Sequence, residues 1–173
     1  MRQLIELIKK NDRKAQEKLY KKYAKRMFLT CFRYVNNEND AAEILNNGFY
    51  KAFNAIPGFK FINEIAFECW LRKIMINEAL MFLRSNKKKE FYKEIEPASI
   101  ADFTVSENHM QEEYYYFLIQ KLPEGYKTVF NLYAIEGYNH SEIAEMLSIS
   151  ESTSRSQLSR AREMLQKLIS KEL

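Results

Sequence analysis

Residues 122–165 read LPEGYKTVFNLYAIEGYNHSEIAEMLSISESTSRSQLSRAREML, and their spacing predicts three helices separated by two tight turns. Pro123 suits the first position of a helix, where its missing N–H costs nothing. Tyr126, Val129, Leu132 and Tyr133 share one face at helical spacing. Gly137 stops that helix, the usual place for a glycine just past a C-terminus. A second, short helix carries Ile143, Ala144 and Leu147, and Ile149 follows in the turn. Ser150 is placed to cap a third, longer helix through Arg155, Leu158, Arg162 and Leu165.

Two helices joined by so short a turn form a helix-turn-helix. In such units the second helix enters the DNA major groove with its N-terminal residues toward the base edges. The helices cross close to Ala144, where only a small side chain fits. The third helix exposes Ser152, Thr153, Arg155, Ser156, Ser159, Arg160 and Arg162. Short hydroxyls and arginines suit phosphates and base edges. A three-helix core with a solvated polar face has the same spacing, so the residues alone leave both readings open.

The stretch LPEGYKTVFNLYAIEGYNHSEIAEMLSIS, followed by SRSQLSRAR, resembles region 4 of an extracytoplasmic-function (group IV, sigma-70 family) sigma factor. The run from Thr153 to Arg162 resembles the Bacteroidetes branch in particular. Ser148 stands where that family usually has glycine in the turn; serine takes a turn conformation at small cost.

The chain has 173 residues, enough for one large or two small domains. Residues counted as hydrophobic make up 46%, enough to fill cores, and only four glycines and three prolines favour an all-α fold over a loop-rich or β fold. Cys31 and Cys69 lie inside helical patterns without metal spacing and read as reduced core residues of a cytoplasmic protein. No apolar run approaches the roughly 20 residues that span a bilayer. The opening MRQLIELIKKNDRKAQ carries charge too early for a signal peptide. The net charge of +4 is unevenly spread: residues 1–86 hold 16 Lys and Arg against 9 Asp and Glu, while residues 111–173 hold 7 against 9. The basic half is thus not the helix-turn-helix half, which suggests that the N-terminal half also meets a polyanion.

Taken in order, Leu4, Ile5, Leu7 and Ile8 make a short amphipathic opening. Asp12 caps a long helix through about Asn36 with Ala15, Leu19, Tyr23, Met27, Thr30 and Tyr34 inward. Lys14, Lys18, Lys21, Lys22, Lys25 and Arg26 face outward as a solvated face. Asp40 with Glu43 reads as a capping box. That helix carries Ala41, Ile44, Leu45, Phe49, Ala52, Phe53 and Ile56 and ends at Pro57-Gly58. Phe59 to Asn63 reads as a loop. A third long helix starts near Glu64, with Phe67, Trp70, Leu71, Ile74, Met75 and Leu83 inward and Arg72, Lys73, Asn77 and Arg84 outward. Single-stranded DNA is held by aromatics that stack on bases beside cations that track phosphates. Phe59, Lys60 and Phe61 offer that combination in a loop, whereas Phe67 and Trp70 lie on the apolar face and read as core.

This half also resembles the sigma family. LYKKYAKRMFLTCFRYVNNENDAAEIL is similar to regions 1.2 to 2.2, and AFECWLRKIMINEALMFLR to regions 2.3 to 2.4. The resemblance implies that the second long helix binds the clamp helices of RNA polymerase core through Asp40, Glu43, Ile44, Asn46, Asn47 and Phe49. It implies that the loop and the next helix open and hold the −10 element through Phe59, Lys60, Phe61, Asn63, Lys73 and Asn77, with Phe67 and Trp70 beside them. It assigns −35 DNA to Ser152, Thr153, Arg155, Ser156, Ser159 and Arg160. Asn46-Asn47 replaces the family's Gln-Glu pair, Ala41-Ala42 replaces a more acidic run, and Ile62 to Ala66 replaces a Gly/Ser-rich loop. Fewer acidic groups should weaken the polymerase contact and its salt dependence.

From Asn86 to about Val105 the helical pattern fails. Residues 87–107 read as a linker that spans roughly 25 Å as a flexible coil, between an N-terminal domain, 1–86, and a C-terminal domain, 108–173. Ser106 caps a further helix with Met110, Tyr114, Phe117 and Leu118. His109 and His140 have no partner at metal or triad spacing, and no glycine-rich phosphate loop exists. His140, just before the short second helix, is placed to touch phosphate or water, and solvent contact is the simpler reading. The expectation is therefore a non-enzyme, without metal, cofactor or small-molecule substrate, whose partners are polymerase core, promoter DNA and, by family habit, a membrane-tethered anti-sigma factor. Two other functions fit the residues: a freestanding, dimeric helix-turn-helix regulator, and an interaction module whose DNA face is unused.

Overall fold

The computed structural model describes residues 1–90 and 116–172, and every regular element among them is helical. The chain divides into two units, Met1–Ser99 and Ile100–Leu173. Residues 87–90 of the expected linker are helical, while the rest of it and the start of the Ser106 helix lie outside the described residues; of that helix, 116–120 are helical, with Leu118 buried and Phe117 exposed.

The first unit holds α1 (Arg2–Lys9), α2 (Arg13–Phe32), α3 (Glu38–Ala55), a 3-10 turn (Ile56–Gly58) and α4 (Glu64–Glu90). The expected Asp12 cap is present: its carboxylate accepts from the Ala15 N–H at 3.0 Å. All six residues expected inward are buried, five of them on α2 and Tyr34 just past its end. The helix itself ends at Phe32, earlier than expected. The Asp40 capping box does not form. Asn37 caps α3 instead, its side-chain oxygen accepting from the Asn39 and Asp40 N–H groups at 2.8 and 3.2 Å. Asparagine serves at an N-cap as well as aspartate, so the helix starts earlier.

Helices α2, α3 and α4 pack mutually, and α1 packs on α2 and on the 3-10 turn through buried Ile5 and Ile8. At Gly48 on α3 the Met75 side chain of α4 fills the space that a β-carbon would take. The cation face of α2 is not merely solvated. Lys22 pairs with Glu64 and Arg26 with Glu68 on α4, each at 2.6 Å. Helix α4 runs past Asn86 to Glu90, because the lysines there are good helix formers although they leave no apolar stripe. Cys31 is buried, and burial pushes its thiol up to about 12, so it stays protonated. Cys69, expected in the core, is exposed on α4. No helix among the described residues is long and apolar enough to cross a membrane.

The second unit continues with α5 (Glu124–Phe130), a π-helical turn (Asn131–Ile135), α6 (His140–Leu147) and α7 (Glu151–Glu172). Pro123 is the N-cap of α5, one residue outside the position expected, and Gly137 takes φ +79° after the π turn. Asn139 and Glu142 form a capping box on α6, with bonds of 2.9 and 2.8 Å. Ser150 caps α7, its hydroxyl accepting from the Thr153 N–H at 3.0 Å. Val129, Leu132, Ile143, Leu158 and Ala161 form the core.

Ser148 ends α6 in the left-handed region, φ 54° and ψ 46°. A β-carbon is disfavoured there and glycine is not. Ser148→Gly is expected to stabilise this unit by about 0.5–1 kcal/mol, read as a higher denaturant midpoint with unchanged slope.

Candidate nucleic-acid interface

The polar side of α7 begins at its cap. Ser150 Oγ lies 2.8 Å from both Ser152 Oγ and Thr153 Oγ1, so the hydroxyls of the first turn bond one another. Ser156 donates to the Thr153 carbonyl at 2.9 Å. Arg155 reaches back to Glu151 at 3.1 Å, with both side chains about half exposed or more. Such a surface pair holds weakly, so the guanidinium is available to a partner. Ser152, Ser159 and Arg160 are exposed and Thr153 is half-buried. All six expected −35 residues therefore fall on the first three turns of one helix, and none is a core residue.

Beside this surface lies a cleft of about 540 Å³ lined by Tyr133, His140, Arg155, Ser159 and Arg162. His140 is not a free solvent contact. Its ring stacks on Tyr133 at 4.6 Å, and its Nδ1 lies 2.9 Å from Ser154 Oγ. The Arg162 guanidinium covers the other ring of that stack, 5.7 Å from the Tyr133 centroid.

In the first unit the loop at 59–63 carries the expected aromatics. Phe59 is half-buried against Trp70, centroids 4.5 Å apart, and against Phe67 at 5.6 Å. Phe67 is fully buried, as expected of a core residue, and Trp70 is half-buried. Phe61 is half-buried and Lys60 exposed. Asn63 caps α4, its side-chain oxygen accepting from the Ala66 N–H at 2.8 Å. Asn63, expected only as a DNA-strand contact, thus also serves as an N-cap, a position that asparagine fills well. Lys73 and Asn77 are exposed on α4.

On α3 the expected polymerase residues separate. Glu43, Asn46 and Asn47 are exposed, and Asp40 is half-buried, its carboxyl raised by burial and then by Glu43. Ile44 and Phe49 are 1% and 2% exposed. They face the bundle, Phe49 against Tyr20 at 4.7 Å, and cannot meet a partner without unpacking the core. Tyr50, 70% exposed on the same face as Asn46 and Asn47, was missed because a tyrosine beside Phe49 counts as apolar in a periodicity.

The family models for sigma-70 region 2 and sigma-70 region 4 match residues 19–89 and 112–165. The ECF RNA polymerase sigma-E factor of Haemophilus influenzae is 31% identical over 179 residues, 96% of this chain and 93% of that protein. The chain belongs to the extracytoplasmic-function sigma factors. It is an alternative sigma factor of the sigma-70 family, which directs transcription initiation. The ECF sigma factor SigW of Bacillus subtilis is 29% identical over 177 residues, covering 94% and 93% of the two chains. Among solved structures, the sigma factor RpoE of Bartonella quintana, in complex with the anti-sigma factor NepR, shares the fold with a TM-score of 0.62 and 16% identity, over 89% of this chain and 96% of that one.

The sigma factor's His140 is held below the usual histidine value, first by desolvation and then by the Arg155 guanidinium; Glu151 opposes this and Arg162 adds to it. An unfolded chain binds that proton at about pH 6.5, the folded one only at lower pH, so acid favours unfolding. Stability of the second unit is expected to fall as pH drops below about 6.5, and His140→Gln to flatten that slope, read by denaturant titrations of the full chain across pH 5–8.

Proposed function

We propose how this sigma factor divides its contacts. The N-terminal domain, 1–86 together with the end of α4 to Glu90, engages polymerase core and melted −10 DNA; the linker to residue 107 begins after it; the C-terminal domain, 108–173, takes the −35 duplex. Core polymerase meets the exposed ridge of α3, namely Glu43, Asn46 and Asn47 with Asp40 at its edge. The −10 strand runs over Phe59, Lys60, Phe61 and Asn63, with Lys73 and Asn77 on α4. The −35 duplex meets Ser152, Thr153, Arg155, Ser156, Ser159 and Arg160.

The observation that carries this reading is the start of α7: a capped helix whose first three turns offer hydroxyls and arginines, with its apolar residues turned inward. Binding there needs no metal or cofactor, and the role is that of a regulatory initiation factor rather than an enzyme, in the cytoplasm where polymerase works. The neutral Asn46-Asn47 pair gives the polymerase contact a shallow salt dependence. An anti-sigma factor is the proposed regulator. The complex of Bartonella quintana RpoE with NepR supports that class of partner.

Arg155 is the residue placed to read a base edge. Its pair with Glu151 is the weak one to be exchanged on binding. In holoenzyme reconstituted with the full chain, Arg155→Ala is expected to cost about 1–3 kcal/mol on the preferred −35 sequence and to relax choice at one base pair. An unchanged preference across a series of −35 variants contradicts the role.

A further inference from the structure

Residue 2 joins the loop at residue 61. The Arg2 guanidinium lies over the Phe61 ring, 5.9 Å from its centroid, within cation–π range. The contact is built by the fold rather than by neighbouring sequence. Ile5 and Ile8 are buried and anchor α1 on α2 and on the 3-10 turn that leads into the loop. Arg2, in the first turn of α1, is thereby held beside the loop. Arg2 itself is exposed, Phe61 is half-buried, Lys60 is exposed, and Ile62 next to it is 68% exposed.

The nearby carboxylates are paired, and Glu64 also feels the charge of the N-terminal amine. Glu64, at the end of the loop, is bound by Lys22 at 2.6 Å and by the Tyr23 hydroxyl at 3.3 Å, both on α2. Glu6 on α1 is paired with Lys9 at 3.0 Å. What the surface presents is an aromatic ring with a guanidinium over it, an exposed lysine and an exposed isoleucine, beside a Glu64 carboxylate whose charge Lys22 and the N-terminal amine offset. A ring beside cations is the chemistry that stacks one base and neutralises the phosphates flanking it. Duplex DNA does not offer an unstacked base, so the surface suits a separated strand.

We infer that Arg2 and Phe61 act as one unit in holding the melted promoter strand, Phe61 stacking on a base and Arg2 orienting the ring and contacting a phosphate. This rests on the reading of the first unit as the −10 domain and adds α1 to that surface. Arg2 is thus a DNA-binding residue that the loop alone does not contain.

The test measures binding of a fluorescein-labelled, 20-nucleotide single-stranded DNA pool of random sequence, from about 50 to 300 mM KCl. It uses the full chain bound to core polymerase and, in parallel, the full chain alone. Arg2→Ala is expected to weaken binding about threefold at 0.1 M salt and to reduce the salt slope by about 0.7, the value for one phosphate on a single strand. Phe61→Ala is expected to weaken binding about tenfold with the slope unchanged, and Phe61→Tyr to restore it. A merely structural role would not separate slope from affinity in this way. Denaturant midpoints of the variants exclude unfolding as the cause. Wild-type binding that neither substitution changes overturns the inference, as does the absence of single-strand binding in both forms. If core is bound and promoters are used while Arg2 and Phe61 are silent, only the inference fails. If the pair holds the strand but core is not bound, the sigma reading fails and the pair stands.

Discussion

The packing of the apolar face of α3 on α2 and α4 is the constraint on which the first unit depends. Met75 of α4 fills the space beside Gly48, and α3 buries Ala41, Ile44, Leu45, Phe49 and Ala52 together. Burying that face fixes the opposite one. Glu43, Asn46, Asn47 and Tyr50 are left outside on a rigid helix, where a large partner can reach them. The same packing sets α4, whose first turns carry Phe67 and Trp70 under Phe59, and so holds the loop at 59–63 from below. Apolar burial of this kind is non-directional. The directional part comes from ion pairs that α4 makes with α2, through Glu64 and Glu68, and with α3, where Lys51 meets the nearly buried Glu78 at 2.6 Å.

The second unit is held differently. Its core is small, and its turns are fixed by polar caps: the Asn139–Glu142 box, the left-handed Ser148 and the Ser150 cap follow one another in the chain. The two side-chain caps satisfy helix-end N–H groups that would otherwise lack partners. Together they aim the start of α7 and leave its hydroxyls bonded mainly to each other. Those bonds, and the Arg155–Glu151 pair, are weak enough to be exchanged for a ligand's. The surface is preorganised in position and replaceable in its contacts.

Much of this was legible in the sequence. The inward face of α2 followed from spacing at six positions, and the three helices after Leu122 followed from Gly137, Ser150 and apolar periodicity. What failed had physical causes. Asn37 displaced Asp40 as a cap because several residues near a helix start compete for the same N–H groups. Ile44 and Phe49 were carried over as partner contacts, but a helix cannot offer its apolar stripe to a core and a partner at once. The stack of His140 on Tyr133 and its contact with Ser154 have no local signal, because they join separate elements. The Arg2–Phe61 pair joins residues far apart in the chain, beyond the reach of any helical period.

Everything proposed for the first unit turns on whether a chain with a neutral Asn46-Asn47 ridge still works as a promoter-specificity subunit. The direct measurement is run-off transcription by core polymerase on a genomic promoter library, with and without the full chain. Capture of core by the chain is expected, with a discrete set of new start sites that depend on it. Duplex DNA binding without capture of core, and no new start sites, would contradict that role and favour a freestanding helix-turn-helix regulator.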